Sequence, residues 1–336
     1  MATPKVLVTG YGGFLGGAVV RQLLEAGFQV RGLARGDYPQ WVALGVEPLR
    51  GDITDPALVR AAVAGCDAVV HTAALAGVWG PWSKYFSVNV QATQDLLEAA
   101  RAAGCRALVH TSSPSVTFAA SHQSGCDETA PYPQRWLCHY PHTKALAEQA
   151  VLRAGRDGTI RTCALRPHLI WGLGDPHLMP RVVQRTRQGR LRRVGSGTNL
   201  IDIVHVDNAA RAHVLAVQQL LSGDDRICGE AFFITDGRPL ECWKWITQIL
   251  EAAGVPVPSR SISYPMAYRL GGILEMVYRL LGLQREPPMT RFVAAQLALD
   301  HYFSIDKGRR LLNYQPNPDI VQRLADCRSW LRSLNA

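Results

Sequence analysis

Residues 138–150 read CHYPHTKALAEQA, and they place Tyr140 four positions before Lys144. Side chains four apart share one face of a helix, so a phenol and an ammonium are brought within reach of each other. That pairing suits hydride transfer to a ketone. Charge builds on the carbonyl oxygen, and a proton donor must stand within hydrogen-bond reach of it. A free tyrosine, with a pKa of about 10, holds its proton too firmly for this at neutral pH. A nearby cation stabilises the phenolate, and a shift of about 3 units corresponds to roughly 4 kcal/mol. A third group, a hydroxyl that fixes the carbonyl oxygen, is offered by HTSSPSV (110–116), where Ser112 or Ser113 closes an apolar run. Pro141 sits directly after the tyrosine. Proline is tolerated in the first turn of a helix and disfavours helical geometry for the residue before it. Tyr140 is therefore expected at the boundary, with the helix proper starting at Pro141.

A second cluster belongs to a cofactor. VTGYGGFLGG places Gly10, Gly13 and Gly16 between an apolar run and an amphipathic stretch. Such a turn lets backbone N–H groups approach a pyrophosphate, with the backbone of Phe14 and Leu15 opening the helix whose N-terminus faces the anion. An NAD reader carries a carboxylate at the end of the second strand, near Ala34 here. The position holds alanine, followed by Arg35, which can bind a phosphate bidentately. NADPH is favoured over NADH. Arg31 is a possible helper, and Asp37 is the rival ribose acid if the strand ends later. Asp52, in GDITD, stands where a carboxylate accepts from the adenine amino group.

The elements that must position these groups follow from periodicity. Strands are expected at 5–10, 29–35, 66–74 and 105–113, and helices at 13–27, 55–65 and 89–104, with Asp55 and Pro56 opening the second. A further strand and loop follow at 159–172. The strands are near-continuous apolar runs, as when both sheet faces are covered. This alternation predicts an α/β fold: a Rossmann-type doubly wound parallel sheet over 1–175 that binds NADP. Later strands come from the C-terminal half, where 176–336 forms a smaller, mostly helical substrate-binding lobe with an interleaved boundary. Helical patterns run over 176–189, 207–221, 241–253 and 264–282. The last is strongly apolar and reads as a membrane-surface or substrate-tunnel helix, or equally as an ordinary core-facing one.

Composition bounds the rest. The chain has 336 residues, 47% hydrophobic, with a net charge of +9. No apolar run is long enough to span a bilayer, and the N-terminus enters a strand pattern directly, so a cytoplasmic location is expected. Eight cysteines without a CxxC pair argue against a metal site and suit free thiols, a structural disulfide being the alternative. The basic run PRVVQRTRQGRLRR (180–193) lacks any nucleic-acid fold signature, so no nucleic-acid partner is expected.

Taken together, TGYGGFLG, GDITD, HTAA, NVQAT, HTSSPSV, YPHTK and LRPHLIWGLGD resemble the extended short-chain dehydrogenase/reductase superfamily, in its 3β-hydroxysteroid dehydrogenase branch. NLIDIVHVDNAARAH, FFITDGRPL and HYFSIDKGRRLLNYQP extend the resemblance over nearly the whole chain. It implies Ser113, Tyr140 and Lys144 as the catalytic set. Asn89 would support the active-site water network, with a helix cap as its plain alternative. It further implies that Asp52 and Ile53 touch adenine, that His71 and Ala73 line the cofactor strand, and that Arg166, Pro167 and His168 border the nicotinamide. Within the branch, RGDYP (35–39), GVWG (77–80), SPSVT (113–117), LIWGLGDPHLMPR (169–181) and TRF (290–292) resemble the 2-alkyl-3-oxoalkanoate reductases of bacterial long-chain olefin biosynthesis. The sterol-4α-carboxylate 3-dehydrogenases are the next most similar. The implied reaction is NADPH-dependent reduction of a 2-alkyl-3-oxoalkanoate to the 3-hydroxy acid. The alternative is an NAD(P)-dependent 3β-hydroxysteroid or sterol-4α-carboxylate 3-dehydrogenase, and a non-catalytic dinucleotide sensor is disfavoured by the intact triad. The substrate needs apolar walls, expected from 77–82 and 264–282, and a carboxylate contact, expected from an arginine within 181–193. A homodimer and peripheral membrane or multienzyme contacts are further implications of the resemblance.

Overall fold

The computed structural model describes residues 3–334. From the N-terminus, β1 (Lys5–Thr9), α1 (Phe14–Glu25), β2 (Gln29–Ala34), β3 (Glu47–Arg50), α2 (Pro56–Val63), β4 (Ala68–His71), α3 (Ala92–Ala102), β5 (Ala107–Thr111), α4 (His139–Arg156) and β6 (Arg161–Pro167) alternate. They are followed by α5 (Leu178–Arg187), α6 (Val206–Ser222), β7 (Glu230–Ile234), α7 (Cys242–Ala253), α8 (Tyr264–Leu280) and α9 (Arg291–Ala298). The seven strands form one sheet in the order β3-β2-β1-β4-β5-β6-β7, every pair parallel. The order reverses between β1 and β4, the place where an open parallel sheet leaves a crevice at its carboxyl edge.

Strand side chains alternate between faces, and both faces are covered. Val6, Val8, Val70 and Val109 pack with α1 and α6, whereas Leu7, Val69 and Leu108 pack with α2, α3 and α4. The same parity decides what the strand ends present. Thr9, His71 and His110 continue the face of Leu7, Val69 and Leu108. Register pairs Thr9 with His71 and His71 with His110, so the three stand side by side under α3 and α4. The C-terminal lobe has its own core around Trp171, Met179, Val183, Trp245 and Ile249, built from α5, α7 and the chain end.

Three local expectations change. The strand β3 has no signal in the sequence, because EPLR is a short, mostly exposed edge strand carrying a proline. The helix expected to open at residue 89 begins as a turn at Trp82–Phe86 and passes through a π-helical segment, Ser87–Gln91, before α3. The helix expected from Pro141 begins two residues earlier, capped by extended Cys138. Pro141 still falls in the first turn, where an N–H has no intrahelical partner to lose. All eight cysteines are free thiols. Among the described residues no helix is long and apolar enough to cross a membrane.

A buried ion pair fastens α4 to the sheet. Arg166 Nε and Nη2 donate to Glu148 Oε2 and Oε1 at 3.0 and 2.7 Å, and the Tyr132 hydroxyl adds a bond of 2.6 Å to Oε1. The guanidinium also lies 5.0 Å from the ring centre of Phe233 on β7. Burial pushes the Glu148 carboxyl up, but the charge and hydrogen bonds of Arg166 and Tyr132 more than reverse this, and its pKa falls below the usual value. A depressed carboxylate contributes stability above its unfolded pKa and loses it as pH falls through its folded pKa. Glu148→Gln should therefore lower the unfolding free energy by about 3–5 kcal/mol. The loss should be largest at neutral pH and shrink in acid. An unchanged denaturation midpoint at neutral pH would rule this out.

Candidate active site

The turn between β1 and α1 is shaped by close approach. Gly10 has a φ of 72°, and a Cβ there would stand 3.1 Å from the backbone N and Cα of Ala73. A Cβ on Gly16 would collide with the Gly10 carbonyl oxygen. Gly13 caps α1 with extended backbone and no side chain. The N–H groups of Phe14 and Leu15 find no acceptor among the described residues, and Leu15 anchors the helix in the core. Unsatisfied N–H groups at a helix start, approached by glycine backbone, fit a pyrophosphate. Tyr38, which spacing does not single out, lays its ring against Gly12, where a Cβ would collide with it, and meets Tyr11 edge-on at 5.1 Å.

At the end of β2, Arg35 is exposed, and its side chain has no ion-pair partner among the described residues. Asp37, the rival ribose acid, accepts from Arg50 Nη1 at 2.7 Å, while Arg50 Nε donates to the Arg35 carbonyl at 3.2 Å. Arg31 is committed elsewhere. Its Nη1 donates to the carbonyls of Ala62 and Ala64 at 2.9 and 2.7 Å, and its Nη2 pairs with Glu47 at 2.8 Å. It is thus removed from the phosphate-binding candidates. Asp52 is exposed, accepting from the backbone N–H and hydroxyl of Thr54 at 3.0 and 2.8 Å, beside buried Ile53.

The candidate reacting groups meet at the carboxyl end of β5. Lys144, 2% exposed, donates to the Thr111 carbonyl at 2.6 Å and reaches His110 Nε2 at 3.1 Å. Burial lowers its pKa to about 7, against the opposing pull of Glu148 one turn on. Burial pushes the phenol of Tyr140 up to about 12, while the Ser113 hydroxyl acts in the opposite direction. Ser113 caps the short turn 114–117, accepting from the Ser115 N–H at 3.2 Å and bonding its hydroxyl at 2.8 Å. Ser112 is buried, so of the two serines Ser113 is the one at the phenol.

Asn89 is neither a cap nor open to the site. From the π-helical turn its Oδ1 accepts from the Leu75 N–H at 2.7 Å, and its Nδ2 donates to the Leu75 carbonyl at 3.0 Å and to Thr143 Oγ1 at 3.1 Å. It ties the loop after β4 to the first turn of α4. His71 is 1% exposed, with both ring nitrogens engaged. Its partners fix its tautomer. Thr93 spends its hydrogen on the Asn89 carbonyl (2.8 Å), so His71 Nε2–H donates to Thr93 Oγ1 (2.9 Å) and Nδ1 accepts from Thr9 (2.7 Å). Ala73 donates its N–H to Thr9 Oγ1 at 3.2 Å and borders Gly10. Pro167 ends β6, and His168 bonds His301 Nδ1 through Nε2 at 2.7 Å, joining the sheet edge to the C-terminal lobe.

A cavity of about 680 Å³ opens beside the start of α4, lined by Trp79, Tyr85, Cys138, His139, Tyr278 and Arg279. It draws on both segments expected as apolar walls. The helix α8 turns Tyr278 and Arg279 toward it while exposing Met266, Leu270, Ile273, Val277 and Leu280 elsewhere. Three of the arginines expected to meet a carboxylate are already engaged. Arg181 and Arg185 both contact Glu286, and Arg187 Nη1 donates to the Leu334 carbonyl at 2.8 Å. Spacing alone could not single out His110, Thr111 or Glu148, whose roles come from strand parity and register.

A dinucleotide turn, a Tyr/Lys/Ser cluster and a neighbouring cavity on one parallel sheet agree with the comparison to known proteins. The model of the 3-beta hydroxysteroid dehydrogenase/isomerase family matches residues 7–266. The chain belongs to that family. A 2-alkyl-3-oxoalkanoate reductase of Stenotrophomonas maltophilia is 47% identical over 323 residues, covering 95% of this chain and 97% of that one. Another from Shewanella oneidensis is 44% identical over 313 residues, 91% and 81% of the two chains. The crystal structure of DesIV, a dTDP-glucose 4,6-dehydratase from Streptomyces venezuelae with NAD bound, has a TM-score of 0.73 at 25% identity, covering 98% of this chain and 97% of that one. Like its family, the chain is an oxidoreductase of the short-chain dehydrogenase/reductase type that uses a nicotinamide dinucleotide.

Proposed function

We propose that the protein reduces the ketone of a 2-alkyl-3-oxoalkanoate with NADPH, yielding the 2-alkyl-3-hydroxyalkanoate. The observation that carries this reading is the similarity to two reductases of that name over more than nine-tenths of the chain. A bound dinucleotide would supply the hydride to the carbonyl carbon. Tyr140, with its proton held on the phenol, donates that proton to the carbonyl oxygen, which Ser113 holds. Lys144, from the same helix start, would supply positive charge to the phenol and a donor to the cofactor ribose. The cavity beside α4, with its aromatic lining, suits the alkyl substituents. The unpaired Arg35, with Asp37 already neutralised by Arg50, favours a ribose phosphate over a bare ribose and hence NADPH over NADH. The family name keeps a 3β-hydroxysteroid, or a sterol carboxylate, as the second substrate reading.

The exposed stripe of α8 supports a peripheral contact. Its apolar side chains are flanked by exposed Arg269, Arg279 and Arg285, while the acids Glu275 and Glu286 are engaged by Arg291 and by Arg181 with Arg185. Apolar side chains flanked by cations that no carboxylate claims suit an anionic lipid surface. The chain should co-sediment with vesicles containing phosphatidylglycerol, and Ile273→Glu should release it. No co-sedimentation, with a dimer seen by light scattering that Ile273→Glu dissolves, would assign the stripe to a second copy instead.

Tyr140→Phe should reduce turnover by about 10²–10⁴-fold while leaving NADPH binding nearly intact. Arg35→Ala should raise the KM for NADPH by roughly 10- to 100-fold and leave that for NADH unchanged. Retained turnover in the first variant refutes the proton donor, and equal effects on both cofactors in the second refute the phosphate contact.

A further inference from the structure

His110 is a histidine in an apolar strand, fully buried, and its ring meets Lys144. Every other ring nitrogen in its neighbourhood is satisfied in one direction only. His71 donates through Nε2 and accepts through Nδ1. His213, on the opposite face, donates through Nδ1 to the Ala209 carbonyl at 2.7 Å and accepts from the Thr111 hydroxyl at Nε2, 2.8 Å away. His110 is the exception. Its Nε2 lies 3.1 Å from Lys144 Nζ; the protonated amine can only donate, so with Lys144 charged Nε2 is the lone-pair nitrogen and Nδ1 carries the hydrogen. That Nδ1 is buried with no partner. An orphaned N–H is a cost that a folded protein seldom keeps without a compensating role.

We propose that His110 is a positioning residue for the proton-transfer site: an acceptor that, with the Thr111 carbonyl, holds two of the three Lys144 N–H groups and leaves the third for the cofactor ribose. The inference rests on the proposed reductase reading, in which Lys144 serves Tyr140. The groups facing the ring keep it neutral. Lys144 lies on α4, His71 on β4 with its ring centre 5.3 Å away, and His213 on α6; Glu148, one turn beyond Lys144, is held by Arg166. Burial first, then the Lys144 charge, drives the imidazole far from protonation. Strand parity places the two acceptors together. The His110 side chain points to the α4 face, and the backbone carbonyl of Thr111 is the last of β5.

The test compares His110→Leu, which removes the acceptor, with His110→Gln, whose side-chain carbonyl can replace Nε2. Both are assayed as full-length protein with NADPH and a 2-alkyl-3-oxo acid. His110→Leu should lower kcat by about 10- to 100-fold, the scale of a lost hydrogen bond to a charged group. It should also displace the pH profile of kcat and leave the keto-acid KM little changed. His110→Gln should restore most of kcat and the wild-type profile. A folded Leu variant with wild-type kcat and profile, or a Gln variant as impaired as Leu, overturns the proposal. The second measurement needs neither variant to fold nor any substrate to be turned over. Nitrogen-15 NMR of the ring in the wild-type protein should show Nε2 unprotonated and Nδ1 protonated across the neutral range. The Nε2–H tautomer or an imidazolium overturns the proposal even if the substrate reading stands. If the wild-type chain ignores the keto acid while the NMR tautomer holds, the substrate reading falls and the acceptor role of His110 remains.

Discussion

Burying an ammonium at the edge of a sheet is expensive unless its donors are met, and the site is organised around meeting those of Lys144. One acceptor is a backbone carbonyl, available because β5 stops at Thr111. The other is a ring that only the His110 parity can aim at α4. The lysine lies in the second turn of a helix capped by Cys138, so the same helix start delivers Tyr140 to the crevice. Strand end, side-chain parity and helix start are thus not independent choices. Moving any one by a residue separates the cation from its acceptors.

The surroundings hold that arrangement still. Glu148, one helical turn beyond Lys144, is clamped by Arg166 and Tyr132, so α4 is fixed to β6 near the same depth. Asn89 grips both backbone groups of Leu75 and the Thr143 hydroxyl, which bonds the Tyr140 carbonyl at 3.0 Å. Beneath them Thr9, His71 and Thr93 form a closed chain of hydrogen bonds running from β1 to the π-helical turn. A buried network of this kind rigidifies only when all its members are satisfied. Here it links the phosphate turn, through Thr9 and Ala73, to the helix that carries the phenol.

The parallel sheet was legible because strands covered on both faces are apolar throughout, and the β1–α1 turn because close approach demands glycine. What could not be read has equally physical causes. Glu47–Arg50 lacks an apolar signature because it lies at the sheet edge. The earlier start of α4 follows from a proline that first-turn geometry tolerates, which leaves the boundary undetermined by sequence. The π-helical turn that aims Asn89 has no local signal. Arg31 looked like a phosphate ligand by position, yet the carbonyl end of α2, thirty residues on, claims it. The arginines at 181 and 185 likewise meet a glutamate a hundred residues away. The pairing of Lys144 with His110 needs register across three strands. Such contacts are long-range, and no spacing rule carries them.

The proposed reaction takes a keto acid as substrate and its hydride from NADPH. Its most direct test follows the loss of reduced-nicotinamide absorbance when the purified full-length chain meets a 2-alkyl-3-oxoalkanoate or a 3-ketosteroid. Rapid loss is expected with the keto acid and NADPH, slower loss with NADH, and little with the steroid. Turnover of the steroid alone would contradict it.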